Sequence, residues 1–527
     1  MTQDDVIIGK NIIEILTTGM YHNPLVIFRE YIQNSIDAIN EAVDVGLLND
    51  ISDGDVQISI DSNKKVISFE DNGVGVTSEN AWRILTSIAA SRKDRTKNLG
   101  FRGIGRLAGL AYCDELVIET SSKGEATKTI LQWDGKKLRS IIGDKQDNKD
   151  ASEVIKEITT IEKGLSERKD AHYFKVKLST VRNEKILDVE SVQKYLRMVA
   201  PVKFYNPRFM FSQSILQGLF DRDVKCDGYR IFVNQVELFK AYRNYIYQGD
   251  AKNKKSIDEI IDVDFFELHS EDNQLLAVGW YALTKQMQLI PVFNEAMGIR
   301  FRKGNIQVGD EFSFQRFFRE NRFHRYYYGE IHVVHDDLFP NGQRDYFDEC
   351  QLLGNFEVQL QQLANKLQGF CRKASEWNTA EKSVVSCSDE INKFEETLKT
   401  QEFYSPEHEE EEKAKLDKIK ENAEKAVKKL QRLEELAEDD DSLKRFVDYR
   451  INNRNGKQEK KKDVAEAQLQ EKCGKKYKAH RLSQLNKREQ KLVGDIYEVI
   501  RTILPPDLQK VLIYKIEEKF GLTKNGD

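Results

Sequence analysis

The stretch FREYIQNSIDAI, Phe28 to Ile39, decides how the first third of this chain is read. Phe28, Tyr31, Ile32 and Ile36 recur at helical spacing and make an apolar face. Glu30 and Asn34 sit one turn apart on another face, with Asp37 following. A surface helix solvates its polar groups and a core helix avoids them, yet this helix carries both. Taken alone, an acid and an amide on one helix face are an ordinary solvated surface.

The next elements change that reading. SFEDNGVGVT (Ser68–Thr77) places Asp71 at the end of a strand, with Gly73 and Gly75 following in a DxGxG pattern. A strand-end carboxylate can accept a hydrogen bond from an exocyclic amine, and the glycines permit close backbone approach or positive φ. NLGFRGIGRLAG (Asn98–Gly109) then supplies Gly100, Gly103 and Gly105 before an apparent helix, a loop whose N–H groups can cradle phosphates. It is neither a dinucleotide fingerprint, since no βαβ unit surrounds it, nor a Walker A loop, since no GK[ST] follows. Small and basic residues between the two glycine motifs (Ala81–Asn98) suit a lid over a triphosphate. On the helix, an amide oxygen at Asn34 suits a hard cation such as Mg²⁺, and Glu30 is placed to polarise a water beside it.

Helix ExxxNxxD, then DxGxG, then GxxGxG within one short segment resembles the GHKL ATPase superfamily: gyrase, heat-shock chaperone, histidine kinase and MutL. REYIQNSIDA resembles its N box, DNGVGV its first glycine box, GFRGIGR its second, and SIAASRK the lid segment before it. The resemblance spans roughly residues 8–180 and implies a Bergerat-type α/β sandwich that binds and hydrolyses ATP with Mg²⁺. It implies Glu30 as the general base, Asn34 as the Mg²⁺ ligand, Asp37 on the pocket floor and Asp71 as the adenine reader. Gly73 and Gly75 fall beside the base, and Gly100, Arg102, Gly103 and Gly105 on the phosphate-covering lid. Lys93 is a looser match to a phosphate contact. Further on, DDLFPNGQRDYF (Asp336–Phe347) resembles the catalytic loop of the chaperone family's middle domain. That likeness implies Asn341 and Arg344 as γ-phosphate contacts, Arg because its planar fork takes phosphate oxygens bidentately. Lys303, in GIRFRKGNIQVGD, is the alternative cation.

The 527 residues predict several domains. Three parts differ in texture: 1–190, the ATP-binding domain, in which strand hairpins alternate with helices and predict an α+β sandwich of one sheet with helices on one face; 191–352, a mixed middle or transducer-like domain; and 353–527, helical. In the third part Phe356, Leu360, Leu363, Leu367, Phe370, Ala374 and Trp377 step by 4 and 3 in turn, as do Leu416, Ile419, Ala423, Ala426, Leu430, Leu433 and Ala437. Both are heptad seams of helices that pair, predicting a coiled-coil hairpin that turns near Pro406. A formal net charge of -5 excludes a polycation, so nucleic-acid binding would need a local patch such as the basic runs after residue 456. Six scattered cysteines without a CxxC indicate neither zinc nor a disulfide framework, and fit a reducing cytoplasm. No signal peptide or membrane span is read.

The function expected is therefore an ATP-driven conformational switch, chaperone-like or clamp-like. Its partners are ATP and ADP, a second copy in a homodimer, and a protein on the coiled coil. A bacterial defence role fits by family analogy. The alternative is a DNA-binding clamp ATPase of the MORC or MutL type, with nucleic acid as partner. A histidine kinase would need a phosphoacceptor histidine on a helix before the pocket, and only His22 precedes it.

Overall fold

The structure, a computed structural model, describes residues 8–15, 23–87, 105–144, 146–248, 255–400, 406–458 and 485–522. They form two compact units, Met1–Arg372 and Lys373–Asp527.

The first unit holds two sheets. The larger is built from β1 (Asp55–Asp61), β2 (Val66–Asp71), β3 (Glu115–Ser121), β4 (Thr127–Asp134), β5 (Thr159–Ser166), β6 (Tyr173–Ser179), β7 (Arg230–Val233) and β8 (Val236–Glu237). Its order is β5-β4-β3-β6-β2-β1-β7-β8, antiparallel except where β7 runs parallel to β1. Two strands from beyond residue 190 thus complete the sheet begun by the N-terminal segment. The strands alternate strictly: Val56, Ile58 and Ile60 on β1, and Ile67 and Phe69 on β2, are buried, while their neighbours are partly or fully exposed. This is the pattern of a sheet with one covered face.

Helix α1 (Val26–Asp44) covers that face. Asn23 opens it, its Oδ1 accepting from Leu25 N at 3.2 Å. Gly46, at φ 71, closes it while Leu47 N donates back to Ala42 O. Phe28 and Tyr31 set their rings 5.3 and 4.5 Å from Phe69, clamping α1 onto β2. Helices α2 (Ser78–Thr86) and α3 (Val189–Val199) contribute Ala81, Leu85, Val192 and Leu196 to the same core.

The second sheet runs β13-β12-β14-β11-β10-β9, from β9 (Tyr245–Gln248), β10 (Lys255–His269), β11 (Leu275–Thr284), β12 (Gly298–Lys303), β13 (Ile306–Val308) and β14 (Tyr328–Val333). β11 and β14 are buried along nearly their whole length, so this sheet is covered on both faces. Helix α4 (Gln351–Thr400) contributes to one cover. Phe356 packs 6.3 Å from the Phe301 ring and 5.7 Å from Phe347, and the Tyr327 hydroxyl donates to Leu367 O at 2.7 Å. This corrects the partner expected for the first half of that seam. A 4,3 spacing reports an apolar stripe but not what fills it, and here a sheet does.

In the second unit, α5 (Pro406–Ala437) buries Leu416, Ala423, Ala426, Leu430, Leu433 and Ala437. Lys373 meets Asp440 at 3.1 Å, and Arg450 of α6 (Asp441–Gln458) bonds Glu381 on the later turns of α4. Helices α7 (Lys487–Ile503) and α8 (Pro506–Lys519) share a small cluster around Tyr497, Ile500 and Leu522. The turn expected at 401–405 and much of the basic C-terminal sequence lie outside the described residues. Among the described residues no helix is long and apolar enough to cross a membrane.

Candidate functional site

The docking of α1 on β2 explains its mixed polarity. With Phe28 and Tyr31 fixed on Phe69, Glu30, Asn34 and Asp37 line up along another face. Glu30 and Asp37 are buried, at 5% and 4% exposure, and Asn34 is half-buried. Asp71 ends β2 in the same alternation as Ile67 and Phe69, so its carboxylate points to the core side at 3% exposure. An acid there needs a donor, and Gly73 N–H supplies one to Oδ1 at 3.0 Å.

The DxGxG turn is held from several sides. Val74 N donates to Ala38 O at 3.2 Å, Val76 N to Thr120 Oγ1 at 2.9 Å, and Ser122 Oγ to Val74 O at 3.2 Å. His172 Nδ1 lies 3.0 Å from Gly73 O. Gly75 has φ 67, and a Cβ built there would lie 1.9 Å from Ser121 O. Only glycine fits that close approach of backbone to backbone.

The most informative contact comes from the distant loop. Arg344 Nε lies 3.2 Å from Glu30 Oε1, and Arg29 Nε lies 3.5 Å from the same oxygen. Arg29 Nη2 donates to Gln343 O at 3.3 Å. The loop is anchored on the second sheet by Gly309 N donating to Arg344 O at 2.8 Å. Asn341 works within the loop: Nδ2 donates to Asp345 Oδ1 at 2.6 Å, and Oδ1 accepts from Asp345 N at 3.2 Å. Lys303 is engaged elsewhere. Its Nζ donates to Val334 O and His335 O at 3.3 and 2.7 Å beside the Phe339 ring, and burial pushes its pKa down to about 8.

The structure therefore gathers Glu30, Asn34, Asp37, Asp71, Gly73 and Gly75 around one helix and one turn, and brings Arg344 to them. Gly105 opens the short helix Gly105–Ala111. Lys93, Gly100, Arg102 and Gly103, with His22, lie outside the described residues. Sequence reasoning missed Arg29, whose position beside Glu30 on a core helix was the available signal, and the polar supports Thr120, Ser122 and His172.

The residues present fit a magnesium nucleotide. Gln33 Oε1 is buried without a hydrogen-bond partner, while Glu30 Oε1 is held by its ion pairs to Arg344 and Arg29. Among the described residues no three His, Cys, Asp or Glu groups converge as a metal cage. An amide at Asn34 with phosphate oxygens is the sparse donor set that Mg²⁺ accepts.

Residues 22–164 match a family model described as histidine kinase-, DNA gyrase B-, and HSP90-like ATPase. This segment is similar to GHKL-type ATPase domains. Among curated proteins, the "Chaperone protein HtpG" of Polaromonas naphthalenivorans is 27% identical over 139 residues, covering 23% of this chain and 22% of the relative. That of Shewanella loihica is 27% identical over 142 residues, covering 24% and 22%. The similarity thus spans about a fifth of the length of these relatives.

Proposed function

We propose that this chain is a Mg²⁺-dependent ATPase that works as a conformational switch, binding ATP between α1 and the DxGxG turn and hydrolysing it to ADP and phosphate. The observation that carries the reading is the ion pair between Arg344 and Glu30. An arginine rooted in the second sheet reaches the acid best placed to position water in the first.

In this reading Glu30 orients and deprotonates the attacking water, Asp37 lines the pocket floor, Asp71 accepts from the adenine amine, and Asn34 holds Mg²⁺. Magnesium, when bound, neutralises phosphate charge. Lys93, Gly100, Arg102, Gly103 and Gly105 are assigned to the phosphates from the sequence motif. Arg344 exchanges its carboxylate partner for γ-phosphate oxygens when ATP is present, and Asn341 shapes the loop that carries it. A ligand that binds one arrangement more tightly shifts the equilibrium toward it. ATP and ADP differ in the group Arg344 would hold, so turnover toggles the loop.

We assign the ATP site to 1–190, transduction to 191–352 and partner binding to the helical 353–527, acting on a protein as a cytoplasmic homodimer. The test is phosphate release by the full chain with and without Mg²⁺, together with light scattering in ADP and in a non-hydrolysable ATP analogue. Absence of Mg²⁺-dependent release would refute the ATPase, and one unchanged monomeric mass in both nucleotides would refute the switch by dimerisation.

A further inference from the structure

A second cavity, of about 570 Å³, lies where α1 and α3 face the loops of the second sheet. It runs along the Asn23, Val26 and Arg29 stripe of α1 and touches none of Glu30, Asn34, Asp37 or Asp71. Arg344 and Arg29, the two arginines paired with Glu30, belong to both sites.

Its most unusual wall is Arg300 of β12, 5% exposed. The guanidinium is fixed: Nη1 donates to Gln307 Oε1 at 2.9 Å and Nη2 to Glu295 O at 2.6 Å. Gln307 is fixed in turn by Gly309 O at 3.1 Å. Nε has no hydrogen-bond partner, and among the described residues no carboxylate oxygen lies within the 4.0 Å of an ion pair. The neighbouring charges do not balance it. Arg302, on the same side of the strand, shares the single buried carboxylate of Glu330 with Lys240, at 2.6 and 2.8 Å. Burial keeps the His332 imidazole beside them neutral by lowering its pKa. Lys240, Arg300 and Arg302 are thus three buried cations around one acid.

Leaving a guanidinium buried without a counter-charge is costly, and such a group beside a cavity marks a binding site. Across the cavity, Arg29 is 4% exposed but has its counter-charge, with Nε 3.5 Å from Glu30 Oε1 and Nη2 donating to Gln343 O, so Arg300 is the guanidinium left to balance. The acids on the wall are engaged elsewhere or stand off. Asp310 Oδ1 accepts from Phe312 N and Ser313 Oγ at 2.9 Å each, Asp345 Oδ1 from Asn341, and Glu295 faces Arg197 at 3.8 Å. Glu311 acts on Arg300 only beyond ion-pair distance. Their presence limits the ligand to little negative charge. The wall also has an apolar part, with Met198, Val199 and Met297 inside and Val292 and Phe293 exposed beside them, and Lys194 adds a further cation.

We propose that this cavity binds a small amphipathic anion, an aliphatic or aromatic body carrying one carboxylate or phosphate monoester, with Arg300 as its counter-charge. The volume suits a body of roughly 10 to 20 heavy atoms. Because Arg344 lines the cavity, the bound anion also bears on the loop that reaches Glu30.

The test uses the full chain with 4-phenylbutyrate, phenyl phosphate and the uncharged 4-phenylbutanol, by calorimetry and thermal denaturation. At least one anion should bind saturably, one per chain, at least tenfold tighter than the alcohol; whichever anion binds identifies the head group. Arg300→Met should lower that affinity at least tenfold while leaving Tm unchanged or raised, since it removes an unbalanced buried charge. Phe293→Ser, at an exposed position, should weaken the anion and the alcohol alike. Neither anion binding, either variant binding as wild type, or a lowered Tm or loss of folding in Arg300→Met overturns the proposal. So does competitive displacement by ATP, which would put the anion in the nucleotide pocket.

Discussion

Arg344 holds Glu30 from another sheet, Nε to Oε1 at 3.2 Å, and does so from a backbone at φ 57. A left-handed arginine is uncommon and costs about 1 kcal/mol or more. The loop tolerates it because Asn341 O, Gly309 N and Asp345 pin both ends. Glu30→Ala should reduce phosphate release by roughly 10²–10⁴-fold, the usual worth of a positioned general base, with nucleotide affinity nearly unchanged. Arg344→Ala should also slow release while sparing ADP affinity, because ADP has no γ-phosphate. Steady-state release with calorimetry on each variant separates these effects, and full activity in Glu30→Ala would remove the assigned base.

Asp71→Asn probes the other end of the pocket. The amide can still take the Gly73 N–H, so folding should hold within about 1 kcal/mol. The charged acceptor for an exocyclic amine is lost, and ATP affinity should fall roughly tenfold or more. Equal dissociation constants for wild type and variant would move the base-reading site elsewhere.

Two glycines with similar backbones make a matched pair. Gly46 has φ 71 with nothing near its absent Cβ, whereas Gly75 has φ 67 with Ser121 O in the way. Gly46→Ala should cost about 1 kcal/mol, the strain alone. Gly75→Ala should cost roughly 2–4 kcal/mol, because the turn must leave β3. Urea midpoints of the two variants give the comparison, and equal losses would contradict the close approach.

His324 predicts an acid-sensitive window. It is fully buried, its Nε2 accepts from Ile299 N at 3.1 Å, and desolvation pushes its pKa from 6.5 down to about 4. The folded pKa lies below the unfolded one, so between pH 6.5 and 4 the unfolded chain binds the extra proton. Stability is then full above about pH 6.5 and declines as pH falls toward 4, by about 3 kcal/mol for this group. Unfolding free energy against pH, compared with His324→Gln, should show roughly one proton less linkage in the variant. An unchanged slope would assign the acid sensitivity to other groups.

The site was legible where chemistry is local. Glu30 and Asn34 share a helix face by spacing alone, and Asp71 ends a strand whose alternation is visible in VISFED. Arg344 meeting Glu30 was not readable from spacing, because no periodicity links a loop to a helix so far away. Likeness to a family loop implied Arg344 at the γ-phosphate and said nothing of Glu30. β10 escaped attention because KSIDEIIDVDFFELH scatters acids through a long strand broken by register shifts. The heptads of α4 and α5 foretold buried stripes correctly, but a stripe is silent about whether sheet or helix covers it. Arg300 could not have been singled out, since an arginine in a strand is ordinary until its missing counter-charge is seen.

Helix α4 begins at Gln351, seven residues after Arg344, and continues without interruption to Thr400. At 1.5 Å per residue its 50 residues make a rod of about 75 Å. Phe356 and Leu367 bind its base to the same sheet that anchors the arginine loop. The first turns of this helix and the loop that carries Arg344 are therefore moored to one and the same sheet.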